Sequence, residues 1–338
     1  MCRTYNGYDM NGFGQMKDGR GNIAPNTIIL PTIAMETKLS LKNATEEELV
    51  EQFIKNLDIA IHDAWEELIE RYNLICSQSP ESATFMYENN VMRGYVPEEG
   101  IRSALKHGTL VIGQIGLAET LQILIGCDHT TEKGMNVAKR IEQLFKDRCA
   151  EFKHEKHRDK DGYEYYLNCG VYYSPAENLC YTSMKKFREK YGIIPNVSDK
   201  DFFTNSIHVP VWTKMNAFKK IDIEAQLSGY SSGGCICYIE ADSAVRYNTE
   251  ALEAVVNYAM DNDIPYFAIN VPNDQCMDCG YTNLIKVGDK CPKCGGDKIK
   301  RLRRVTGYLT NDYLTAFNQG KVDEVERRVV HLSGDSMF

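Results

Sequence analysis

Apolar and polar positions alternate along the chain with two different periods, and these divide it into segments. Residues 1–26, rich in Gly, Asn and Asp, carry little periodicity and read as a loop; their GFG and GRG pieces are no dinucleotide fingerprint, because no strand precedes them. TIILPTIAME (27–36) is a short apolar run and reads as a buried strand broken by Pro31. Thr45 followed by Glu48 forms a capping box, and Val50, Phe53, Ile54, Leu57, Ile61, Trp65, Leu68 and Tyr72 recur at helical spacing, so a long amphipathic helix is predicted there with these side chains in the core.

Residues 108–126, GTLVIGQIGLAETLQILIG, alternate Gly with apolar residues and then turn helical, and a polar helix is predicted from Glu132 to Lys153. HEKHRDKDGYEYYLN places an Asp161-Gly162 turn signal between short polar runs and reads as a solvated hairpin; no Cys or carboxylate pattern completes a metal set around His154 and His157. From Cys235 onward CICYIEAD, TEALEAVVNYAMDND and YFAINV spell strand, helix, strand, a unit that places its strands parallel with the helix on one face. No internal repeat or low-complexity linker interrupts the pattern. The fold class is therefore α/β.

Composition narrows the function. With 338 residues, 43% of them hydrophobic, the chain can bury a large core. A net charge of -8 opposes broad wrapping of a polyanion, so no nucleic-acid partner is expected. No long apolar run and no basic-then-apolar leader is present in the sequence, so neither a membrane span nor a signal peptide is expected, and the expected location is cytoplasmic.

Of the twelve cysteines, Cys276, Cys279, Cys291 and Cys294 form two C-x2-C pairs around an eleven-residue spacer. Two such knuckles bring four sulfurs into a tetrahedron, which suits Zn²⁺ with four thiolates and no open position, a structural rather than catalytic centre. Gly280 and Gly295, each directly after the second Cys of its pair, fit the tight turn that lets amide N-H groups face sulfur. Lys286, Lys290, Lys293, Lys298, Lys300, Arg301, Arg303 and Arg304 either offset the thiolate charge or form a patch that binds nucleic acid or protein; an iron-sulfur or redox site is a further alternative. Cys76, Cys127, Cys149, Cys169, Cys180, Cys235 and Cys237 are expected as buried apolar residues, with Cys235 and Cys237 on one face of a strand.

Gly307 stands in RVTGYL (304–309), in a run that otherwise reads as a strand entering a loop. A glycine there either admits an unusual backbone angle or, having no side chain, supports a planar Cα radical delocalised over the flanking amides.

The motif RVTGYL just after the four-cysteine module resembles the glycyl radical segment of anaerobic (class III) ribonucleoside-triphosphate reductases, large subunit. The resemblance extends over CRT (2–4), GRGNIAPNTIILPTIAME (19–36), IGLAETLQILIG (115–126), FTNSIHVPV (203–211) and YNTEALEAVVNYAMDNDIPYFAINVPNDQCMDCGY (247–281). It implies the C-terminal half of a ten-stranded α/β barrel of the glycyl radical enzyme type. Residues 1–272 would be the half-barrel with a cysteine finger loop (1–26), 273–298 the zinc module, and 299–338 the glycyl radical loop and C-terminal tail.

By the same resemblance Gly307 is the stored radical, made by a radical-SAM activating enzyme that carries the S-adenosylmethionine and a 4Fe-4S cluster. Cys2 becomes the transient thiyl that abstracts the 3'-hydrogen of a ribonucleoside triphosphate, and formate is the expected reductant. Cys276, Cys279, Cys291 and Cys294 hold Zn²⁺, and Asn22 is either a substrate contact or a turn residue. The first half-barrel, with its second active-site cysteine and nucleotide-binding regulatory region, is not in this sequence. The sequence is then either one product of a split gene that assembles with an N-terminal chain or a fragment or truncated gene product; activity is expected only with an N-terminal half in trans, and the complete enzyme as a homodimer. The alternatives from other classes are a zinc-ribbon binding module for nucleic acid or protein, and a spare glycyl radical repair protein.

Overall fold

Residues 4–158, 162–283, 289–305 and 307–334 are described by the computed structural model; Cys2, Asp161 and Lys286 lie outside them. Strand β1 (Asn22–Ile29) runs directly into helix α1 (Leu30–Ser40), followed by α2 (Glu46–Cys76) and two short helices, α3 (Thr84–Glu88) and α4 (Arg102–Leu105). Next come β2 (Thr109–Ile115), α5 (Leu117–Ile125), α6 (Glu132–Phe152), the hairpin β3 (Lys156–Arg158) and β4 (Glu164–Tyr166), and β5 (Asn168–Tyr172). After α7 (Glu177–Tyr191) and α8 (Ala217–Ser228) the chain forms β6 (Cys237–Glu240), α9 (Thr249–Asp261) and β7 (Phe267–Asn270). It ends with β8 (Asn273–Cys276), β9 (Thr282–Asn283), β10 (Ile299–Val305), β11 (Tyr308–Thr310), α10 (Tyr313–Ala316) and α11 (Gln319–Arg327).

Strands β1, β2 and β5 form a parallel sheet in that order, with Ile29 opposite Ile115 and Thr109 opposite Asn168. β6 and β7 pair in parallel, and a parallel bridge between Tyr172 and Gly234 carries the succession from β5 to the segment leading into β6. All seven residues of β2 are buried, as expected for a central strand covered on both faces.

Helix α2 begins where the capping box lies: the Glu48 amide donates to Thr45 Oγ1, and the Thr45 amide donates to the Glu48 carboxylate at 2.8 Å. It buries Phe53, Leu57, Ile61, Trp65, Leu68 and Tyr72 against the sheet, and each large aliphatic side chain removed from water contributes about 2 kcal/mol. Trp65 stacks on Phe152 of α6, ring centroids 5.0 Å apart, so the two long helices close over one face.

Two local expectations change. Pro31 does not break a strand but lies in the first turn of α1, where a missing N-H costs nothing, so the apolar run 27–36 divides into the end of β1 and the start of a helix. The loop expected to reach residue 26 ends earlier, because β1 starts at Asn22 and contains Pro25. Among the described residues β1 is an edge strand, and edges tolerate a residue that cannot donate to a ladder. The predicted hairpin at 154–168 is present as β3 and β4. Its His157 packs against Tyr165 and Trp65, and burial lowers the imidazole's affinity for protons. Cys149, Cys169, Cys180, Cys235 and Cys237 are buried as expected, whereas Cys76 and Cys127 are only half-buried.

The last four strands form a separate sheet in the order β11-β10-β8-β9. The expected boundary between 298 and 299 falls at the start of β10, which pairs with β8, so the cysteine module and the Gly307 segment share one sheet. No helix among the described residues is long and apolar enough to cross a membrane.

Candidate functional site

The four-cysteine centre is built by two turns. β8 delivers Cys276, the chain reverses at Gly280, and the Gly280 amide donates to the Cys276 carbonyl at 3.0 Å; the second knuckle repeats this from Gly295 to Cys291 at 2.8 Å. Gly280 has φ +69° and Gly295 φ +74°, values that favour glycine. The amides of Lys293 and Gly296 face the sulfurs of Cys291 and Cys294, each at 3.4 Å.

The Sγ atoms of Cys276 and Cys294 lie 3.6 Å apart and those of Cys279 and Cys291 3.7 Å, with all four within 4.8 Å of one another. A tetrahedron with Zn-S bonds of about 2.3 Å has edges of about 3.8 Å, so the donor set fits Zn²⁺ in a closed, structural coordination. His154 and His157 join no such group among the described residues.

Much of the basic run beside this centre is already engaged. Arg303 is buried and its guanidinium contacts both oxygens of Asp274, at 2.5 and 3.3 Å. Arg301 reaches Asp289 at 3.4 Å, Lys298 lies 3.8 Å from Asp278, and the Arg304 guanidinium lies over the ring of Tyr238.

Gly307 sits at the tip of the hairpin between β10 and β11. Val305 is paired with Tyr308, so the glycine falls within a two-residue connection, and it is exposed. A turn is therefore required at this point in the chain, where the sequence reads as a strand entering a loop. Next to it Leu309, with Arg303, Arg304 and Arg328, lines a cavity of about 430 Å³ that opens at the C-terminal ends of β6 and β7, beside Glu240 and Asn270. Arg328 is itself held by Glu324 at 2.7 Å and Glu240 at 3.3 Å.

Asn22 opens β1 at the other end of the parallel sheet. Its Nδ2 donates to the Gly233 carbonyl at 3.2 Å, and the Tyr5 amide donates to that same carbonyl at 3.1 Å. The buried Oδ1 of Asn22 has no partner among the described residues. The described part of the loop leading back toward Cys2 thus passes beside Asn22.

That loop is anchored by residues for which the sequence offered no signal. Buried Asp9 accepts from Asn168 Nδ2 at 2.8 Å and from the Phe13 amide at 2.9 Å, and lies 2.8 Å from His107 Nδ1, while the Phe13 ring stacks on His107 with centroids 3.7 Å apart. Burial alone would raise the Asp9 pKa; the hydrogen bonds from His107, Asn168 and the Phe13 amide outweigh it and hold the carboxyl well below the usual range.

Near the C-terminal ends of the strands lies a second set of buried ionisable groups. Burial pushes Glu119 up to about 7 despite two hydrogen bonds from Thr204, and burial pushes Glu142, bonded to Gln114, up to about 8. Glu224 behaves oppositely: burial raises it, but the Lys220 ammonium and then His208 overcome that and hold it well below the carboxylate range. Burial lowers His129 to about 4 and His331 to about 3, so both imidazoles are neutral at pH 7. Each of these residues looks like an ordinary polar position in its segment, because burial of a single polar side chain leaves no periodic trace.

A parallel α/β framework carrying a closed four-thiolate centre beside an exposed glycine hairpin defines the class, and comparison with known proteins assigns the family. The chain belongs to the anaerobic ribonucleoside-triphosphate reductase family, whose model matches residues 1–331. It is 32% identical to the anaerobic ribonucleoside-triphosphate reductase of Salmonella typhimurium over 98% of this chain and 45% of that one. It is 31% identical to the enzyme of the same name from Enterobacteria phage T4, over 98% and 52%.

Among solved structures it resembles an anaerobic ribonucleotide reductase at TM-score 0.65 and 22% identity, covering 98% of this chain and 48% of that one. It also resembles the Thermotoga maritima anaerobic ribonucleotide reductase in complex with dATP and CTP at TM-score 0.57 and 23% identity, over 91% and 46%. These likenesses bear on the fold. The chain spans about half the length of the relatives it matches.

Proposed function

We propose that this chain is the catalytic C-terminal half-barrel of an anaerobic ribonucleoside-triphosphate reductase, storing its radical on Gly307 and needing the N-terminal half-barrel for turnover. The observation that carries this reading is the position of Gly307: an exposed hairpin tip, in the same sheet as the four-cysteine centre, two residues before Leu309 on the wall of the cavity at the strand ends. Ligands of parallel α/β sheets bind outside the carboxyl ends of the strands, and a cavity of about 430 Å³ is of ligand size.

In this reading an activating enzyme with a 4Fe-4S cluster and S-adenosylmethionine removes one hydrogen atom from the Gly307 Cα, and an exposed hairpin tip is accessible to it. The glycyl radical then takes the hydrogen atom of the Cys2 thiol. The Cys2 thiyl abstracts the 3'-hydrogen of the ribonucleotide, the 2'-hydroxyl leaves with a proton as water, and formate supplies two electrons and becomes carbon dioxide. The 3'-hydrogen returns from Cys2, which completes the deoxynucleotide. Zn²⁺ on Cys276, Cys279, Cys291 and Cys294 holds the hairpin sheet together and takes no part in these steps. Asn22 Oδ1, buried and without a partner among the described residues, is an acceptor for a substrate hydroxyl.

A zinc-ribbon module binding nucleic acid has less support, since the buried Arg303 is committed to Asp274 and several neighbouring cations have acidic or aromatic partners. The test is turnover. The activated chain mixed anaerobically with the N-terminal half of a relative, CTP and formate should form dCTP, and the chain alone should not. No product from the mixture, or full turnover by the chain alone, contradicts the proposal.

A further inference from the structure

Helix α11 lies between the hairpin sheet and the parallel-sheet half of the molecule. On one side its Val325, with Val322, packs with Val305, Tyr313 and Phe317. On the other it meets α7 so closely that a Cβ on Gly320 would come within 2.8 Å of both the Asp201 carbonyl oxygen and the Tyr181 Cβ, and Asp323 accepts from the Asp201 amide at 3.0 Å.

Lys321 follows Gly320 and is 6% exposed. Its Nζ donates to Asn178 Oδ1 at 2.7 Å and stands 3.5 Å from the centre of the Tyr308 ring, while Asn318 Nδ2 donates to the same Asn178 oxygen at 2.9 Å. Asn178 belongs to the first turn of α7, and Tyr308 directly follows Gly307. Burial lowers the pKa of the Lys321 ammonium, and the negative charge of Glu177 and Glu324 nearby offsets part of that. Tyr308 and Asn178 are exposed, so it is the buried Lys321 that joins them, its ammonium held against an aromatic face and a side-chain carbonyl in one directional contact. Neither partner belongs to the proposed chemistry, so the arrangement leaves Lys321 a task of its own.

We infer that Lys321 is a positioning residue that fixes the Gly307 hairpin to the first turn of α7, with its ammonium held between the face of Tyr308 and the side-chain carbonyl of Asn178. The inference rests on the reading of Gly307 as the stored radical. Hydrogen-atom transfer from a fixed donor is sensitive to small displacements; the packing of Val305 on α11 holds the base of the hairpin, and the Lys321 contact with Tyr308 holds its tip beside Gly307.

The test begins without activation, by deuterium exchange in the full zinc-loaded chain. Lys321→Met keeps the apolar stem and removes the charge; it should accelerate exchange of residues 303–310 about tenfold, with β1, β2 and β5 unchanged. Lys321→Arg, which can donate to Asn178 and stack on Tyr308, should restore most of the protection. Asn178→Ala removes the acceptor from the opposite side and should accelerate the same peptide. Unchanged exchange in the hairpin, or acceleration spread evenly over the chain, overturns the inference.

After anaerobic activation, the wild type and Lys321→Met should form equal amounts of glycyl radical, and the variant's signal should decay several-fold faster on exposure to air. Equal decay also overturns the inference. If neither protein forms a radical, the radical reading fails while the exchange result still decides whether Lys321 pins the hairpin.

Discussion

Cys276 and Ile299 lie opposite each other across β8 and β10, and β10 then runs to Val305 at the edge of the Gly307 turn. The strand that starts beside the thiolate centre therefore ends at the proposed radical. Loss of the metal should loosen the hairpin before it affects the core. A purified chain is expected to hold about one Zn²⁺, and Cys291→Ser to lose it. Metal analysis with deuterium exchange checks this: exchange at 299–310 should rise in the variant while α2 and β2 stay protected.

Asp9 and His107 join the 4–21 loop to the start of β2. Asp9→Asn leaves the imidazole without its carboxylate partner in a buried site and should cost about 3 kcal/mol in urea unfolding at pH 7. The Asp9 carboxyl is held below its unfolded value, so its contribution is present above the unfolded pKa and is lost as pH falls through the folded one. The difference between wild type and variant should therefore shrink on acidification below the ordinary carboxylate range.

Glu142 gives the opposite sign. Its folded pKa of about 8 lies above the ordinary 4.5, so the folded state retains a proton that the unfolded chain releases. The stability it contributes is complete below the unfolded value and is lost as pH rises toward 8. Glu142→Gln should flatten the decline in melting temperature between those limits. An equal decline in both proteins would show that Glu142 does not keep its proton on folding.

Gly116 connects β2 to α5 with φ +81°, and a Cβ there would lie 2.4 Å from Pro31 Cγ. Gly116→Ala should destabilise the chain by about 1–3 kcal/mol, from the backbone conformation and the clash with α1 together. Thermal unfolding of the single variant measures this.

What the sequence revealed follows the range of each interaction. The Thr45–Glu48 capping box, the apolar stripe of α2, the strand-helix-strand unit at Cys237–Asn270 and the cysteine knuckles are all set by residues a few positions apart, and the structure has them where the pattern predicts. Pro31 was legible as a breaker but not as a helix start, because one ring fits both roles and the choice depends on where β1 ends. The Asp9–His107–Asn168 group and the Lys321–Tyr308–Asn178 contact join residues far apart in sequence, and no local pattern announces them. The same holds for Glu119 and Glu142, whose raised pKa values come from the surrounding core rather than their neighbours in the chain.

Electron paramagnetic resonance of the chain after anaerobic incubation with an activating enzyme and S-adenosylmethionine tests the central claim most directly. A doublet from a glycyl radical is expected in the wild type and is expected to vanish in Gly307→Ala, with backbone cleavage at residue 307 when the activated wild type meets air. Absence of the doublet with an activator that works on a full-length relative, or its survival in Gly307→Ala, would contradict the assignment of the radical to Gly307.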